Sequence, residues 1–201
     1  MTASQSMSKL SLRDRLVTAR NRTSLVERQA LAHRLAEVLL AAPEVRRAAT
    51  VAAYVSLGSE PGTGPLLQAL RAAGKRVILP VLLPDNDLDW AVHTGDADLA
   101  PARRGLLEPV GPTLGPDAVG TADAVLVPGL AVSLDGVRLG RGGGSYDRAL
   151  GRVPVGTFTC VLLHDDEVGL DVPVEPHDRR VLAAASQAGI TRLRRGPTVR
   201  G

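Results

Sequence analysis

The feature that most constrains the fold is a helical segment between two short β-like runs. Residues 50–55 (TVAAYV) and 76–81 (RVILPV) are rich in small and β-branched apolar residues, which is typical of strands. Between them, residues 64–76 (GPLLQALRAAGKR) have the leucine spacing of a helix and a glycine that ends it. A helical crossover joins parallel strands, so this segment predicts a parallel strand–helix–strand unit.

The rest of the chain continues this alternation. Further β-like runs lie at residues 88–92, 124–128, 155–163, 181–186 and 189–193. A helix is expected to open near Ser145. Strands that alternate with helices indicate an α/β fold: a single-domain three-layer sandwich around a mainly parallel, Rossmann-like sheet. We expect the domain to occupy residues 1–201, with 1–8 and 195–201 disordered.

The N-terminal part predicts a pair of helices ahead of the sheet. Ser24 and Glu27 have the spacing of a capping box, and apolar residues continue on one face from there to Pro43. A shorter basic helix is predicted over residues 10–20. Residues 99–120, rich in Pro and Gly, are interpreted as a long loop over the functional site, and Trp90 as a half-buried strand residue.

Composition narrows the possible partners. The net charge of +3 is too small an excess of basic residues to indicate that the protein binds nucleic acid. Aromatic residues that could stack on bases make up only 2% of the chain. No run of eighteen apolar residues and no apolar leader is present, so no membrane partner is expected. We expect a cytoplasmic monomer that acts on small molecules.

The stretch RLGRGGGSYDRAL, residues 138–150, is the strongest functional signal. Its glycines let consecutive backbone N–H groups converge on an anion, and the predicted helix start adds free N–H groups. Arg138 and Arg141 offer forked donors that match phosphate oxygens, and Asp147 lies where a carboxylate could hold Mg²⁺. These features favour a polyphosphate ligand. The simpler alternative is a solvated loop, since neither the P-loop nor the G-x-G-x-x-G pattern is present.

Five landmarks in order resemble the 5-formyltetrahydrofolate cyclo-ligases, also called methenyltetrahydrofolate synthetases. They are KLSLR (9–13), YVSLGSEPGT (54–63), GLLEP (105–109), PGLAVSLDGVRLGRGGGSYDRAL (128–150) and VPVEPHDRRV (172–181). The resemblance implies that 5-formyltetrahydrofolate is cyclised to 5,10-methenyltetrahydrofolate while MgATP becomes ADP and phosphate. The family is thought to phosphorylate the formyl oxygen first, which gives an iminium phosphate that N10 attacks.

The resemblance also implies roles for particular residues. ATP would be bound by Lys9, Arg13, Arg138, Leu139, Gly140, Arg141, Gly142, Gly143, Gly144, Ser145 and Tyr146. The folate would be bound by Val55, Glu60, Arg141, Gly142, Gly143, Gly144 and Ser145. Magnesium would be held by Asp147 and Asp178, and the catalytic residues would be Arg141 and Asp147. Each has a simpler alternative: Lys9 and Arg13 as a solvated helix face, Glu60 as a loop charge, Asp178 as a turn residue.

Two departures from the family pattern leave alternatives open. Ser133 stands where the family usually has an aspartate, and Ser145 where it usually has a tyrosine. A divergent ATP-dependent relative that acts on another folate or formyl amide would tolerate both changes. A non-catalytic nucleotide- or RNA-binding module is the third alternative. We also expect the Ser145 hydroxyl to cap the helix that follows it.

Overall fold

The predicted strand–helix–strand unit is present and places the first two strands side by side. Strand β1 (Thr50–Ala52) leads into helix α4 (Gly64–Ala72), which returns the chain to β2 (Arg76–Leu82), parallel to β1. Leu66, Leu67 and Leu70 of the helix are buried against the sheet. Their spacing of three and four residues gives the helix the apolar face that this packing requires.

The computed structural model describes residues 8–194, so the predicted disordered ends lie outside the described residues except for Ser8. Its other helices are α1 (Lys9–Arg20), α2 (Leu25–Ala41), α3 (Pro43–Arg47) and α5 (Ser145–Gly151). Its other strands are β3 (Leu88–Val92), β4 (Leu99–Pro101), β5 (Leu107–Pro109), β6 (Ala124–Pro128), β7 (Ala131–Val132), β8 (Arg138–Leu139), β9 (Phe158–Leu162), β10 (Ala183–Ser186) and β11 (Gly189–Arg192). None of the helices in this part of the chain is long and apolar enough to cross a membrane.

The central sheet is mostly parallel and has seven strands in the order β11-β10-β9-β6-β1-β2-β3. The five inner strands run parallel, and the edge strands β3 and β11 are antiparallel to their neighbours. After β1 the chain first adds β2 and β3 on one side of it. It then returns to the other side of β1, where it adds β6 and the later strands of the sheet. At such a reversal of strand order the connections diverge and leave a crevice beyond the carboxyl ends of the strands.

Helices cover both faces of the sheet and complete the three predicted layers. On one face α2 and α4 pack over alternate strand residues such as Val51, Leu79 and Leu126. On the other face α5 and the turn at 116–121 pack over the intervening residues, such as Ala52 and Val125. Small and branched side chains fill both layers, so the sheet needs few aromatic residues.

A third, smaller cluster attaches α1 to the rest of the fold. Leu12 and Leu16 of α1 pack with Leu130, Leu139 and Val172, which belong to the connections beyond β6 and β9. At the other end of the helix, Arg20 forms a buried ion pair with Glu167. Helix α1 therefore lies over the crevice end of the sheet rather than over one of its faces.

Three local predictions were wrong. The segment 99–120 is not one long loop, because β4 and β5 pair within it as an antiparallel hairpin. Trp90 is 1% exposed rather than half-buried, since α5 and the turn at 116–121 cover that face of β3. Ser145 does not cap α5: it is the first helical residue, and the capping position belongs to Gly144, whose φ of +70° suits glycine.

Candidate active site

A cavity of about 720 Å³ opens at the crevice between β1 and β6. The residues after β1 (Tyr54 to Glu60) form one wall, and the glycine loop that joins β8 to α5 forms another. All of the candidate residues predicted from the sequence line this cavity except Leu139. Leu139 is fully buried in the cluster under α1, so only its backbone could serve a ligand.

The glycine loop is held close to α1. The Arg13 side chain donates from Nε to the Gly140 carbonyl oxygen at 2.8 Å. A side chain at position 140 would place its Cβ 2.7 Å from Nη1 of Arg138, so a residue larger than glycine would displace the Arg138 guanidinium. Gly144 then turns the chain into α5. The loop residues from Gly140 to Gly144, together with Arg138, line the cavity.

Arg138 is the buried cation of the site, with the residue 5% exposed. Its guanidinium donates from Nη1 to the Pro128 carbonyl at 3.1 Å and from Nη2 to Oδ2 of Asp147 at 3.3 Å. It also lies 5.9 Å from the centre of the Tyr146 ring, within cation–π range. Nε of Arg138 is buried and has no hydrogen-bond partner among the described residues.

Asp147 connects the glycine loop to the late loop that carries Asp178. Its Oδ2 accepts from Arg138, and its Oδ1 accepts from the backbone N–H of Arg179 at 3.1 Å. Both carboxylate oxygens of Asp147 therefore have partners, and the neighbour of Asp178 is fixed beside α5. The two aspartates that were predicted to bind metal line the same cavity.

Lys9 lies among acidic groups at the edge of the cavity. Its ammonium donates to both carboxylate oxygens of Asp178, at 2.9 and 2.8 Å, and to Glu175 at 2.8 Å. Burial alone would lower the pKa of Lys9, but its hydrogen bonds to Asp178 and Glu175 outweigh burial and raise it. Glu175, His177 and Asp178 have ligand atoms within 4.8 Å of one another. Sequence reasoning missed Glu175, although it lies in the same VEPHD motif.

Glu60 is held in place by its own loop. Its Oε2 accepts from the Leu57 N–H at 2.8 Å, while Ser56 and Thr63 exchange side-chain to backbone hydrogen bonds at 2.9 and 3.0 Å across the loop base. Its Oε1 accepts from Nε of Arg141 at 3.1 Å. The Glu60 side chain is 9% exposed and that of Arg141 is 53% exposed, so the carboxylate is the buried partner of the pair.

The segment predicted to lie over the site supplies a wall of the cavity, as the hairpin of β4 and β5 rather than as a loop. Leu106, Leu107 and Glu108 line the cavity, and Glu108 accepts a hydrogen bond from the Leu82 N–H at 2.9 Å. Tyr54, 3% exposed, lines the floor next to Val55. The cavity therefore joins a cationic, glycine-rich half to a half with apolar walls and two fixed carboxylates, those of Glu60 and Glu108. That division suits a phosphate group and a flat polar ring.

Comparison with known proteins identifies the family. Residues 5–186 match the model of the 5-formyltetrahydrofolate cyclo-ligase family. The chain belongs to this family. It is 43% identical over 134 residues to the 5-formyltetrahydrofolate cyclo-ligase of Mycolicibacterium smegmatis, an alignment that covers 64% of this chain and 69% of that protein. It is 32% identical over 160 residues to the 5-formyltetrahydrofolate cyclo-ligase of Escherichia coli K12, covering 76% of this chain and 85% of the other.

Solved structures agree with the cyclo-ligase assignment. The 5,10-methenyltetrahydrofolate synthetase of Aquifex aeolicus superposes with a TM-score of 0.80 at 28% identity and covers 97% of both chains. The synthetase of Mycoplasma pneumoniae gives a TM-score of 0.71 at 20% identity, covering 90% of this chain and 99% of that one, and supports the fold alone. The resemblance and the α/β sandwich predicted from the sequence are thereby confirmed.

Proposed function

We propose that this cyclo-ligase family member converts 5-formyltetrahydrofolate into 5,10-methenyltetrahydrofolate with MgATP as co-substrate, releasing ADP and phosphate. The observation that carries the proposal is the divided cavity. Arg138 and Arg141 on the glycine loop line the same cavity as Glu60 and Val55. A phosphate donor and a pterin bound in these two halves would meet at the glycine loop.

The cationic half has the groups that a triphosphate needs. Arg13 and Arg138 present guanidinium groups whose positions are fixed by the Gly140 and Pro128 carbonyls. The glycine backbone adds N–H donors that need no side-chain room. Phosphoryl transfer depends mainly on such positioning and charge neutralisation. We assign Lys9, Arg13 and the loop from Arg138 to Tyr146 to ATP.

The acidic groups fit a magnesium ion by donor chemistry. Mg²⁺ prefers hard carboxylate oxygens, and Asp147 and Asp178 supply them at the edge of the cationic half. When bound, the ion would neutralise charge on the phosphates. Both carboxylates already hold cations, Arg138 and Lys9 respectively. A triphosphate would compete for those two cations and release carboxylate oxygens for the metal.

The proposed reaction requires no nucleophile from the protein, because the substrates supply every reacting atom. The formyl oxygen attacks the γ-phosphorus of ATP, and ADP leaves. N10 of the folate then attacks the activated formyl carbon, the carbon–oxygen bond breaks, and inorganic phosphate departs as N10 loses its proton. Arg141, exposed beside the glycine loop, is assigned to the transferred phosphoryl group. Glu60 would accept hydrogen bonds from adjacent N–H groups of the pterin.

One observation favours a second candidate. Ser145 lines the cavity where the family pattern has a tyrosine. In the proposed assignment of residue 145 to the folate, the smaller side chain would leave more room on the folate side. A roomier pocket would accept another folate or formyl amide with the same phosphoryl chemistry.

The proposed function includes three further expectations. They are a cytoplasmic monomer, one domain over residues 1–201 and small-molecule partners.

An isotope experiment tests the phosphorylated intermediate directly. The substrate is labelled with ¹⁸O in the formyl group and incubated with ATP and Mg²⁺, and the released phosphate is analysed by mass spectrometry. We expect one labelled oxygen in each phosphate, because the formyl oxygen leaves attached to phosphorus. Label in water with none in phosphate would contradict the proposed route. Slow turnover of this substrate beside fast turnover of another formyl amide would support the second candidate.

A further inference from the structure

A buried ion pair lies behind the cavity and is not part of its lining. Arg20 at the end of α1 and Glu167 in the turn after β9 have side chains 2% and 3% exposed. Arg20 donates from Nε to Oε1 of Glu167 at 2.6 Å and from Nη2 to Oε2 at 2.7 Å, which is a two-pronged contact. The planar guanidinium makes this geometry possible, and an ammonium would not reproduce it.

The pair joins the segments that build the cavity. Nη2 of Arg20 also donates to the Gly129 carbonyl oxygen at 2.7 Å, and Gly129 lines the cavity at the carboxyl end of β6. Oε2 of Glu167 also accepts from the His164 N–H at 2.8 Å. His164 in turn lies with Nε2 3.4 Å from the Ser59 carbonyl oxygen, next to Glu60.

The two ends of this network belong to different halves of the proposed site. Helix α1 carries Lys9 and Arg13 on the phosphate side, whereas the loop at Ser59 carries Glu60 on the folate side. Because both charges of the Arg20–Glu167 pair are buried, stabilising the fold is not a sufficient explanation for the pair. Two charges taken out of water often contribute no more to folding than a well-packed apolar pair of the same size.

We propose that Arg20 and Glu167 are positioning residues that set the register between the phosphate-binding half and the folate-binding half of the cavity. The inference rests on the proposed function. Because neither residue lines the cavity, each half would still bind its ligand when the pair is lost. Loss of the pair would instead change the alignment of the formyl oxygen with the γ-phosphorus. Small misalignments of reacting atoms lower the rate of reaction strongly.

The test compares binding with turnover in four variants, one of which is Arg20→Met alone. Arg20→Lys keeps the charge but not the fork, and the double variant Arg20→Met with Glu167→Leu replaces the pair by apolar side chains. Arg192→Met is the control, because it breaks another long-range ion pair, the more exposed Arg192–Glu44, which joins β11 to α3 away from the cavity. Calorimetry gives Kd for ADP and for 5-formyltetrahydrofolate separately, and initial rates give kcat.

We expect kcat to fall by about 10–100-fold in Arg20→Lys and in the double variant, with each Kd within about 3-fold of the wild type. The double variant should recover most of the melting temperature that Arg20→Met alone loses, without recovering kcat. Arg192→Met should change the melting temperature only. If the double variant does not fold, Arg20→Lys decides the question alone.

Other outcomes would overturn the inference. An unchanged kcat in a folded variant would show that the pair has no positioning role. A Kd that rises in step with the loss of kcat would show that the pair shapes a single half. A wild-type protein that binds neither ligand would refute the proposed function, and the inference would fall with it.

Discussion

Replacement of Asp147 by asparagine should lower stability as well as activity, because Asp147 is the counter-charge of a buried arginine. The Arg138 side chain is 3% exposed and that of Asp147 is 19% exposed, with 3.3 Å between Nη2 and Oδ2. An asparagine can still accept from the Arg179 N–H. It cannot provide a negative charge to Arg138. The other hydrogen bond that the Arg138 side chain donates goes to the backbone carbonyl of Pro128, which is neutral.

The magnitude follows from that geometry. A hydrogen bond to a charged group contributes about 1.5–3 kcal/mol. The long distance and the partial exposure of Asp147 place this contact near the lower end, so we expect the free energy of unfolding to fall by about 1.5–2 kcal/mol. For a chain of this size that corresponds to a melting temperature lower by roughly 3–8 °C. The fold itself should persist.

Turnover should fall further than stability does. If Asp147 holds Mg²⁺ against the triphosphate, loss of its charge removes a contact that matters most in the transition state, and kcat should fall by about 10²–10³-fold. Calorimetric melting and initial rates at saturating Mg²⁺ measure the two effects. Asp135→Asn, an exposed aspartate in the turn between β7 and β8, is the control and should change neither.

A double-mutant cycle with Arg138→Met separates the two roles. If Asp147 stabilises the fold through Arg138, the two substitutions should not be additive. The free energy of unfolding of the double variant should then fall by about 1 kcal/mol or more less than the sum of the two single-variant decreases. Additive losses, or an unchanged melting temperature in Asp147→Asn, would refute the counter-charge argument. A near-normal kcat at saturating Mg²⁺ would refute the metal role.

Three further predictions concern other parts of the site and its support. Glu60→Gln should raise KM for the folate with little change in KM for ATP, since Arg141 is released rather than lost; a change confined to ATP in steady-state kinetics would contradict this division. Ser145→Tyr should tighten 5-formyltetrahydrofolate by about 0.5–1.5 kcal/mol through ring stacking, with no loss of a helix cap, and titration calorimetry of the two proteins decides it. Asp87 has a lowered pKa because Arg152 donates to it, so the pair stabilises the fold above the ordinary pKa of 3.8 and the contribution disappears as pH falls below it. Asp87→Asn should therefore cost about 1–2 kcal/mol at pH 7 and progressively less as the pH falls below 3.8 in urea unfolding; a cost that does not change with pH would contradict the linkage.

The sheet was predictable because local patterns and burial agree there. The runs at 88–92 and 124–128 are strands with the predicted bounds, and Ser24 accepts from the Glu27 N–H as a helix cap. The run at 50–55 ends early, at Ala52. Tyr54 and Val55 have strand-like side chains, yet they leave the sheet to line the cavity, which is a tertiary effect that no local pattern encodes.

The residue pattern alone predicted only the part of the cavity lining that is continuous in sequence, whereas Lys9, Glu60 and Asp178 were predicted through the family resemblance. The glycine loop is one stretch, so its residues could be found together, whereas Glu175 beside Lys9 is a pairing across 166 positions. Arg20 and Glu167 are separated by 147 positions and are ordinary charged residues in sequence. The partner of Arg138, in contrast, lies nine positions away but becomes a counter-charge only because the loop folds back.

The central claim is that this chain forms 5,10-methenyltetrahydrofolate at the cost of ATP. The most direct measurement follows the near-ultraviolet absorbance of that product, together with ADP, after 5-formyltetrahydrofolate, ATP and Mg²⁺ are mixed with the protein. We predict product and ADP in equal amounts, with no product when any one of the three is omitted. Product formed without ATP, or ATP consumed without product, would contradict the claim.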